Sequence, residues 1–352
     1  MENIGLYIHI PFCKRKCFYC HFVKQNYDSD IVEKYIKALS KELQLHANRD
    51  YIIDSNYMGG GSPSLLNEKQ ISHIFETVHS FFKVNDSIEC TFEMNPEDIT
   101  ASKLHFLKEA GTNRLSIGTQ SFIPQDLEYL KRTHSVHQSL NAIELALNIG
   151  FNNINIDFII SLPTQTTSTL SENFSILKQF NISHVSAYIL EEVEDGESKD
   201  IRDNQLYYYT HNALEEMGYH HYEISNFSKR SFSSTHNLKY WNNKHYIGAG
   251  LSASGFENGI DYKNYSQMST YLKKIEAGFL PKKEIQTPNL KLRKIVMGLR
   301  LLDGISESYF DSYKKELEFM VSNGVLLKKN NQIILNPEKL LLLNEVLTYF
   351  FK

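Results

Sequence analysis

The sequence predicts an α/β fold, in which a partial barrel of six βα units precedes a small C-terminal domain that is helical or winged-helix-like. Short apolar runs alternate with amphipathic stretches through residues 4–190, which is typical of βαβ units and a parallel sheet. Glycine and polar residues follow the runs, as in GGGSPS and SLPTQT, and barrel folds carry their functional loops at these strand ends. Six units leave a barrel incomplete, so we expect one side to be open to a large planar ligand.

The strands are predicted from short runs rich in Ile, Phe and Tyr, and the helices from apolar residues three or four positions apart. Ile31, Tyr35 and Leu39 show this spacing in the first helix. In chain order the strands are GLYIHIPF, IIDSNYM, IECTFEM, NRLSIGTQ, NINIDFII and HVSAYIL. The helices between them are SDIVEKYIKALSKELQLHA, NEKQISHIFETVHSFF, TASKLHFLKEAG, LEYLKRTH with VHQSLNAIELALNIG, and LSENFSILKQF.

The regular alternation of predicted strands and helices ends after HVSAYIL, which indicates that the chain continues into segments outside the six βα units. We predict a barrel core over residues 1–230, a linking segment rich in aromatic, Ser, Asn and Gly residues over 231–283, and a C-terminal domain over 284–352. In this last part LKLRKIVMGLRLLDGI is amphipathic, and KELEFMVSNGVLLKKNNQIILNP predicts a helix, a glycine turn and two short strands.

Composition and charge exclude several classes of partner. The net charge of -4 gives no basic field for a nucleic acid partner. The N-terminal MENIGLYIHIPFC lacks a basic region, and His9 interrupts its apolar stretch, so we do not expect a signal peptide. No run approaches the ~18 apolar residues of a membrane helix. We therefore expect a cytoplasmic protein, in which thiols stay reduced.

The stretch CKRKCFYC holds three of the four cysteines, Cys13, Cys17 and Cys20. In a cytoplasmic protein such a cluster is typical of a metal site. Three thiolates can bind three irons of an iron–sulfur cluster and leave one iron open. Zinc is an alternative, but it usually takes four Cys or His ligands, and the remaining Cys90 lies in a predicted strand while His21 abuts Cys20. Unligated cysteines are the third reading.

Other candidate site residues lie at the ends of the predicted strands. GGGSPS spans residues 59–64, Glu93 lies in EMNP, Gln120 in GTQSF, Arg132 in KRTH and Asp157 in NINIDFII. Each has a structural reading: a glycine turn, a structural polar residue or a solvated charge. A functional reading is also open, because glycines let the backbone approach a ligand and a carboxylate within an apolar strand needs a partner.

The cysteine stretch resembles the radical-SAM signature, Cys-x-x-x-Cys-x-aromatic-Cys, with Tyr19 as the aromatic residue. The resemblance implies that Cys13, Cys17 and Cys20 hold a [4Fe–4S] cluster. It also implies that S-adenosylmethionine (SAM) chelates the fourth iron through its amino and carboxylate groups. The partial barrel is then expected to be a radical-SAM barrel.

The chain also resembles one branch of that superfamily, which contains oxygen-independent coproporphyrinogen III dehydrogenases and heme chaperones of the HemW type. The similar stretches are YIHIPFCKRKCFYCHF, GGGSPSLL, EMNPEDIT, AGTNRLSIGTQSF, KRTH, NINIDFIISLP and YEISNF, and they cover nearly the whole chain. By motif position, the resemblance implies a SAM pocket lined by Tyr7, Tyr19, Gly60, Gly61, Ser62, Glu93, Gln120, Arg132 and Asp157.

Three features favour the heme chaperones within this branch. Phe22 stands where the dehydrogenases have a further cysteine, and the first cluster cysteine at position 13 leaves no N-terminal lid. THNLKYW resembles the HNxxYW motif that is implicated in heme binding by the chaperones, which implies that His236, Asn237, Tyr240 and Trp241 bind heme. A dehydrogenase, an enzyme acting on another tetrapyrrole and a structural metalloprotein remain alternatives.

The resemblance implies heme as a ligand beside the cluster and SAM, and an acceptor hemoprotein as the partner, with respiratory, membrane-associated acceptors and a homodimer as candidates. It leaves open whether SAM is cleaved and hence whether the protein is an enzyme. This sequence departs from the family pattern at four positions. His21 stands where Asp or Asn is usual, Ser62 replaces Thr, and Ser161 and Thr164 replace Gly.

Overall fold

The structure of this chain is a computed structural model that describes residues 1–48, 50–190, 197–285 and 289–350. Its centre is a twelve-stranded sheet. Six strands follow one another along the chain and lie side by side in parallel, which confirms the predicted βα units. They are β1 (Glu2–Ile10), β2 (Tyr51–Gly60), β3 (Lys83–Met94), β4 (Arg114–Gln120), β5 (Asn153–Ile160) and β6 (His184–Ile189).

The helices between these strands begin where the sequence supplies capping residues. Asn67 and Ser135 each form a capping box with a glutamine three positions later, which satisfies amide groups at the helix start. The helices are α1 (Ser29–His46), α2 (Glu68–Phe81), α3 (Ala101–Glu109), α4 (Pro124–Tyr129), α5 (Val136–Asn148), α6 (Thr167–Leu177) and α7 (Glu197–Glu216).

The sheet extends beyond the six predicted strands on both sides. The hairpin β7 (His220–Glu223) and β8 (Asn226–Ser228) pairs with β6, and β9 (Tyr246–Ala249) pairs in parallel with β1. From β9 the sheet continues antiparallel through β10 (Ser254–Glu257), β11 (Ile260–Asn264) and β12 (Lys282–Ile285). Residues predicted as a linking segment thus supply a seventh parallel strand. Its four residues are too few to show a strand pattern in the sequence.

Two helices accompany these added strands. The helix α8 (Thr235–Trp241) carries the THNLKYW stretch, and α9 (Met268–Glu276) packs against α1. The strand order begins at β12 and ends at β7, so the sheet of the described chain is open, as a partial barrel requires.

The C-terminal part combines helices with a small antiparallel sheet. The helices are α10 (Leu290–Gly298), α11 (Lys314–Ser322) and α12 (Leu343–Tyr349), and the strands are β13 (Ile305–Ser306), β14 (Leu326–Lys329) and β15 (Gln332–Leu335). Asn330 and Asn331 have φ values of 50° and 63° and form the turn of the hairpin that KNNQ predicts. The described part of the chain contains no helix long and apolar enough to span a membrane.

Strand register places the carboxyl ends of the central strands at one edge. Ile10 lies beside Gly60, Met58 beside Phe92, and Met94 beside Ile117. The cysteine loop, the glycine motif and EMNP therefore follow neighbouring strands at the same edge of the sheet.

A buried carboxylate ties α1 to the added strands. Glu42 is fully buried and accepts hydrogen bonds from the Gly250 amide at 2.8 Å, the Asn264 side chain at 2.6 Å and the Tyr271 hydroxyl at 2.5 Å. All three donors lie more than two hundred positions from Glu42 in sequence, so this residue fixes how the added strands sit against the core.

We predict that Glu42→Ala lowers the free energy of unfolding by about 3 kcal/mol, because three buried donors lose their acceptor. Lys41→Ala is the matched control, since Lys41 is exposed on the same helix, and it should stay within about 0.5 kcal/mol of the parent protein. Urea midpoints measured at a common slope give the comparison. Equal midpoints for the two variants would contradict the role of Glu42.

Candidate functional site

A cavity of about 1150 Å³ lies at the carboxyl edge of the central strands. All the residues predicted to bind the cluster or SAM except Tyr7 line it: Cys13, Cys17, Tyr19, Cys20, Gly60, Gly61, Ser62, Glu93, Gln120, Arg132 and Asp157. Residues 340–345 of the C-terminal part form another wall. The structure therefore brings the strand-end motifs together around one space, as the parallel sheet predicts.

The cysteine loop leaves β1 and is closed by a short parallel pairing of Phe12–Cys13 with Gln25–Asn26. Its three cysteines are free thiols in this structure. The Ser62 hydroxyl donates to Cys13 Sγ at 3.8 Å, and Arg132 Nη1 donates to Cys17 Sγ at 3.7 Å. Burial raises the pKa of the Cys13 thiol. These donors and the Arg132 charge would stabilise thiolates, which suits a three-cysteine cluster site.

Cys90 is set apart from this loop. It is buried on β3, where the Asn56 side-chain amide lies 3.9 Å from its sulfur, and it does not line the cavity. Burial raises its pKa to about 12, so it stays a thiol. Within the described residues, no three His, Cys, Asp or Glu side chains are placed to hold a single metal ion.

The glycine motif brings backbone close to the cysteine loop. Gly60 has a φ of 111°, and its amide donates to Glu93 Oε2 at 3.0 Å. A Cβ on Gly61 would lie 2.7 Å from the carbonyl oxygen of Phe12, so only glycine fits there. These glycines allow the backbone of the motif to approach Glu93 and the cysteine loop closely. Their position at the end of a strand in the sequence does not by itself predict this contact.

Two carboxylates lie at the floor of the cavity. Glu93 accepts from the Tyr57 hydroxyl at 2.7 Å, and burial raises its pKa to about 7 although this bond favours the charged form. Asp157 accepts from Asn155 Nδ2 at 2.8 Å and from the Ser116 hydroxyl at 3.2 Å, and burial raises its pKa. The expectation that an Asp inside an apolar strand needs partners is thus met by neighbouring side chains.

Arg132 crosses the cavity wall and depends on a residue that the sequence did not single out. Its Nη2 donates to Asn95 Oδ1 at 2.7 Å and to the Gly118 carbonyl at 3.2 Å, and Asn95 in turn donates to the Ser62 hydroxyl at 2.9 Å. Arg132 Nε is buried and has no hydrogen-bond partner among the described residues. The arginine therefore has a donor to spare for an anionic ligand. The signal for Asn95 was its place directly after β3, in EMNP.

The remaining SAM-pocket candidates differ in position. Gln120 ends β4 with a φ of 67°, in the left-handed region that non-glycine residues rarely adopt. Such local strain is often found at ligand sites. Tyr7 lies beneath the cavity, with its hydroxyl 2.9 Å from His9 Nδ1, and burial raises its pKa.

The THNLKYW stretch forms α8, which lies on the inner face of the sheet. Glu89 on β3 accepts from the backbone amides of Thr235 and His236, each at 3.0 Å, and the Ser234 hydroxyl accepts from the Asn237 amide at 3.3 Å. A carboxylate and a hydroxyl at a helix start satisfy its free amides and favour its dipole.

His236 is buried beneath the cavity and does not line it. Only 1% of the residue is exposed. Its Nδ1 lies 3.0 Å from the Ser55 hydroxyl and its Nε2 lies 2.7 Å from the Tyr240 hydroxyl, so both nitrogens have partners. Burial lowers its pKa to about 3. The ring packs beside Tyr57, with centroids 5.4 Å apart.

Trp241 ends α8 against the C-terminal part, where the Arg300 guanidinium lies 5.2 Å from its ring centroid. Its indole nitrogen is buried without a hydrogen-bond partner in the part of the chain that the structure describes. Heme binding by His236, Asn237, Tyr240 and Trp241 stays a prediction, and in this structure it would require at least one His236 hydrogen bond to break.

Known proteins are similar to this chain in sequence and in fold. A family model described as the radical SAM superfamily matches residues 7–175. The structure of coproporphyrinogen III oxidase (HemN) from Escherichia coli, a radical SAM enzyme, superposes with a TM-score of 0.83 at 20% identity, covering 99% of this chain and 90% of that one. The fold is that of a radical SAM protein.

Similar proteins with assigned names show to which family of the superfamily the chain belongs. Heme chaperone HemW of Bacillus subtilis is 31% identical to this chain, and the match covers 98% of each protein. Heme chaperone HemW of Lactococcus lactis is 30% identical over 95% of this chain and 91% of its own. The chain therefore belongs to the HemW family of the radical SAM superfamily.

The pKa of Glu93 makes folding stability depend on pH. The native carboxyl keeps its proton up to about pH 7, whereas an unfolded glutamate loses it near pH ~4.3. Between these values the native state binds more protons, so this carboxyl lowers stability as pH rises. Glu93→Gln should remove that component, and its stability relative to the parent protein should rise between about pH 5 and pH 7.

Urea midpoints across this pH range test the prediction. Glu76→Gln is the control, because Glu76 is exposed on α2 and should follow the parent protein at every pH. A constant difference between Glu93→Gln and the parent would show that Glu93 does not titrate in this window.

Proposed function

We propose that this chain is a heme chaperone, which binds heme and delivers it to acceptor hemoproteins. The observation that carries the proposal is the 31% identity to heme chaperone HemW of Bacillus subtilis over 98% of both chains. The match extends over the segments that carry the cavity walls as well as over the cysteine loop. The proposal includes a cytoplasmic location. The acceptor is still to be identified, and respiratory hemoproteins are the candidates.

Cys13, Cys17 and Cys20 would hold a [4Fe–4S] cluster, and the open iron would take the amino and carboxylate groups of SAM. When bound, such a cluster supplies single electrons to its surroundings. Three thiols on one loop, beside the Arg132 guanidinium, support this assignment. Cys90 is too deeply placed on β3 to complete the ligand set.

The residues around the loop would hold SAM by charge and hydrogen bonding. The Arg132 Nε has no partner among the described residues and would donate to the SAM carboxylate. Glu93, once ionised, would accept from the SAM amino group, and Asp157 from the ribose hydroxyls. Gln120 and three residues of the glycine motif, Gly60, Gly61 and Ser62, complete the walls.

Heme would occupy the outer part of the cavity. The volume of about 1150 Å³ exceeds the range of roughly 300–1,000 Å³ that ligand pockets usually have, so SAM need not fill it. Phe22, Tyr188 and Leu342 line this part and are 61%, 44% and 43% exposed. Exposed aromatic and aliphatic surface suits a porphyrin face.

The cluster assignment predicts that Cys17→Ser loses most of its cluster iron and its SAM binding. Cys90→Ala is the matched control, because Cys90 is the fourth cysteine of the chain and lies outside the cavity. Iron and sulfide analysis after anaerobic reconstitution, with SAM retention measured by equilibrium dialysis, gives both readouts. A full cluster in Cys17→Ser, or a lost one in Cys90→Ala, would refute the assignment.

The chaperone function predicts saturable heme binding at about one heme per chain, with transfer to an apo-hemoprotein when one is added. An anaerobic titration of the cluster-loaded protein with ferric heme, followed by Soret difference spectra, measures binding, and the recovered spectrum of the acceptor measures transfer. SAM-dependent decarboxylation of coproporphyrinogen III by the reduced protein would favour the dehydrogenase instead. Heme uptake that never saturates would contradict the proposal.

A further inference from the structure

We propose that His184 is a positioning residue for Asp157, which would bind the ribose hydroxyls of SAM. The inference rests on the proposed function and adds a residue from outside the cavity, because His184 is fully buried and does not line it. His184 acts through Asn155, whose side-chain amide lies between the two residues. A buried chain of hydrogen bonds, the direction of that chain and the free acceptor capacity of the carboxylate carry the inference.

Strand register brings the members of the chain together inside the barrel. The strands β5 and β6 are parallel, with Asn155 beside His184 and Asp157 beside Ser186. His184 Nδ1 lies 2.6 Å from Asn155 Oδ1, and Asn155 Nδ2 donates to Asp157 Oδ1 at 2.8 Å. The Ser186 hydroxyl donates to Asn155 Oδ1 at 3.1 Å. Of these four residues only Asp157 lines the cavity, so the buried chain ends at the carboxylate that a ligand can reach.

The far end of the chain sets the direction of its hydrogen bonds. The Ser234 amide donates to the Tyr222 hydroxyl at 3.3 Å, and that hydroxyl lies 2.9 Å from His184 Nε2. Because a backbone amide can only donate, the hydrogen of the Tyr222 hydroxyl is left for His184 Nε2. Burial lowers the pKa of His184 well below its usual value, so the ring is neutral and carries its one hydrogen on Nδ1. That hydrogen goes to Asn155 Oδ1, which turns the amide NH₂ group toward Asp157.

The orientation of the Asn155 amide decides what the carboxylate of Asp157 meets. In the observed orientation the amide donates to Oδ1, and the Ser116 hydroxyl donates to Oδ2 at 3.2 Å. In the reversed orientation an amide oxygen would face a carboxylate oxygen, and two acceptors repel each other. Since each carboxylate oxygen can accept twice, one donor on each leaves both oxygens able to accept from two neighbouring hydroxyls. The 2′ and 3′ hydroxyls of a ribose are such a pair.

The experiment measures binding of SAM, and of an analogue that lacks the ribose 2′-hydroxyl, to cluster-loaded protein by equilibrium dialysis. Two variants divide the functions of the imidazole. His184→Gln places an amide near the position of Nε2 and keeps a partner for Tyr222, whereas His184→Asn places one near Nδ1 and keeps a donor for Asn155. His46→Gln is the matched control, because His46 is also a buried histidine and does not line the cavity.

We expect the parent chain to bind SAM roughly tenfold more tightly than the analogue. His184→Gln should lose this preference, and His184→Asn and His46→Gln should keep it. Asp157→Asn should lose it as well. The double variant His184→Gln/Asp157→Asn should bind SAM no more weakly than Asp157→Asn, because a positioning residue acts only through the residue that it positions. Urea midpoints and iron and sulfide analysis establish that folded, cluster-loaded proteins are compared.

The outcomes separate the inference from the proposed function. If the parent chain binds no SAM, the SAM assignment in the proposed function fails and the inference fails with it. If Asp157→Asn loses the preference and His184→Gln keeps it, the inference is overturned and the proposed function stands. Equal weakening of both ligands in His184→Gln would assign His184 a structural role and overturn the inference. An unchanged preference in Asp157→Asn would refute both the ribose assignment and the inference.

Discussion

The hydrogen bonds of the Glu93 carboxylate are the constraint on which the site depends. One oxygen accepts from the Gly60 amide and the other from the Tyr57 hydroxyl. The first bond fixes the glycine motif at the end of β2, and this motif in turn meets the cysteine loop through the backbone contacts of Gly61 and Ser62 with residues 10–12. One buried carboxylate thus holds two strand ends and the loop in register.

The same carboxylate connects the cavity with the helix beneath it. The hydroxyl of Tyr57 donates to Glu93, and the ring of the same residue packs beside the His236 ring. His236 is held in place by hydrogen bonds with Ser55 and Tyr240. Glu89, four residues before Glu93 on β3, holds the start of α8. In this arrangement α8 packs beneath the residues that are predicted to bind SAM. Its histidine would then matter to the protein through packing, even without contact with a ligand.

Local patterns in the sequence predict the candidate cluster and SAM residues that line the cavity, because these residues lie at strand ends and in one short loop. Cys13 and Glu93 could be placed at one edge of a parallel sheet from the βα alternation alone. The rest depends on long-range pairing. The strand β9 has four residues, and its partner β1 lies more than two hundred positions away. The burial of His236 follows from that same packing, so a motif that looks like a surface loop in sequence is part of the interior.

Asn95 illustrates a second kind of limit. An asparagine after a strand commonly indicates a turn, and nothing in its sequence neighbourhood shows that it bridges Ser62 and Arg132. Such bridging residues become visible only once the strand order is known. His21 is similar, because its neighbours in sequence mark it as a departure from a pattern, while its place at the cavity mouth depends on how the loop closes.

The C-terminal part is integral to the cavity. The Leu340 amide donates to the Tyr208 hydroxyl at 3.0 Å, and the Ile224 amide donates to the Arg300 carbonyl at 3.1 Å. The first bond joins residues 340–345, which line the cavity, to α7, and the second joins Arg300, just after α10, to the turn of the β7–β8 hairpin. Phe22 and Tyr188, which are exposed, line the same cavity as this segment. Under the proposed function, residues 340–345 would contribute Leu342 to the surface that holds heme, so a change in the contacts of this segment would alter the cavity that receives the cargo.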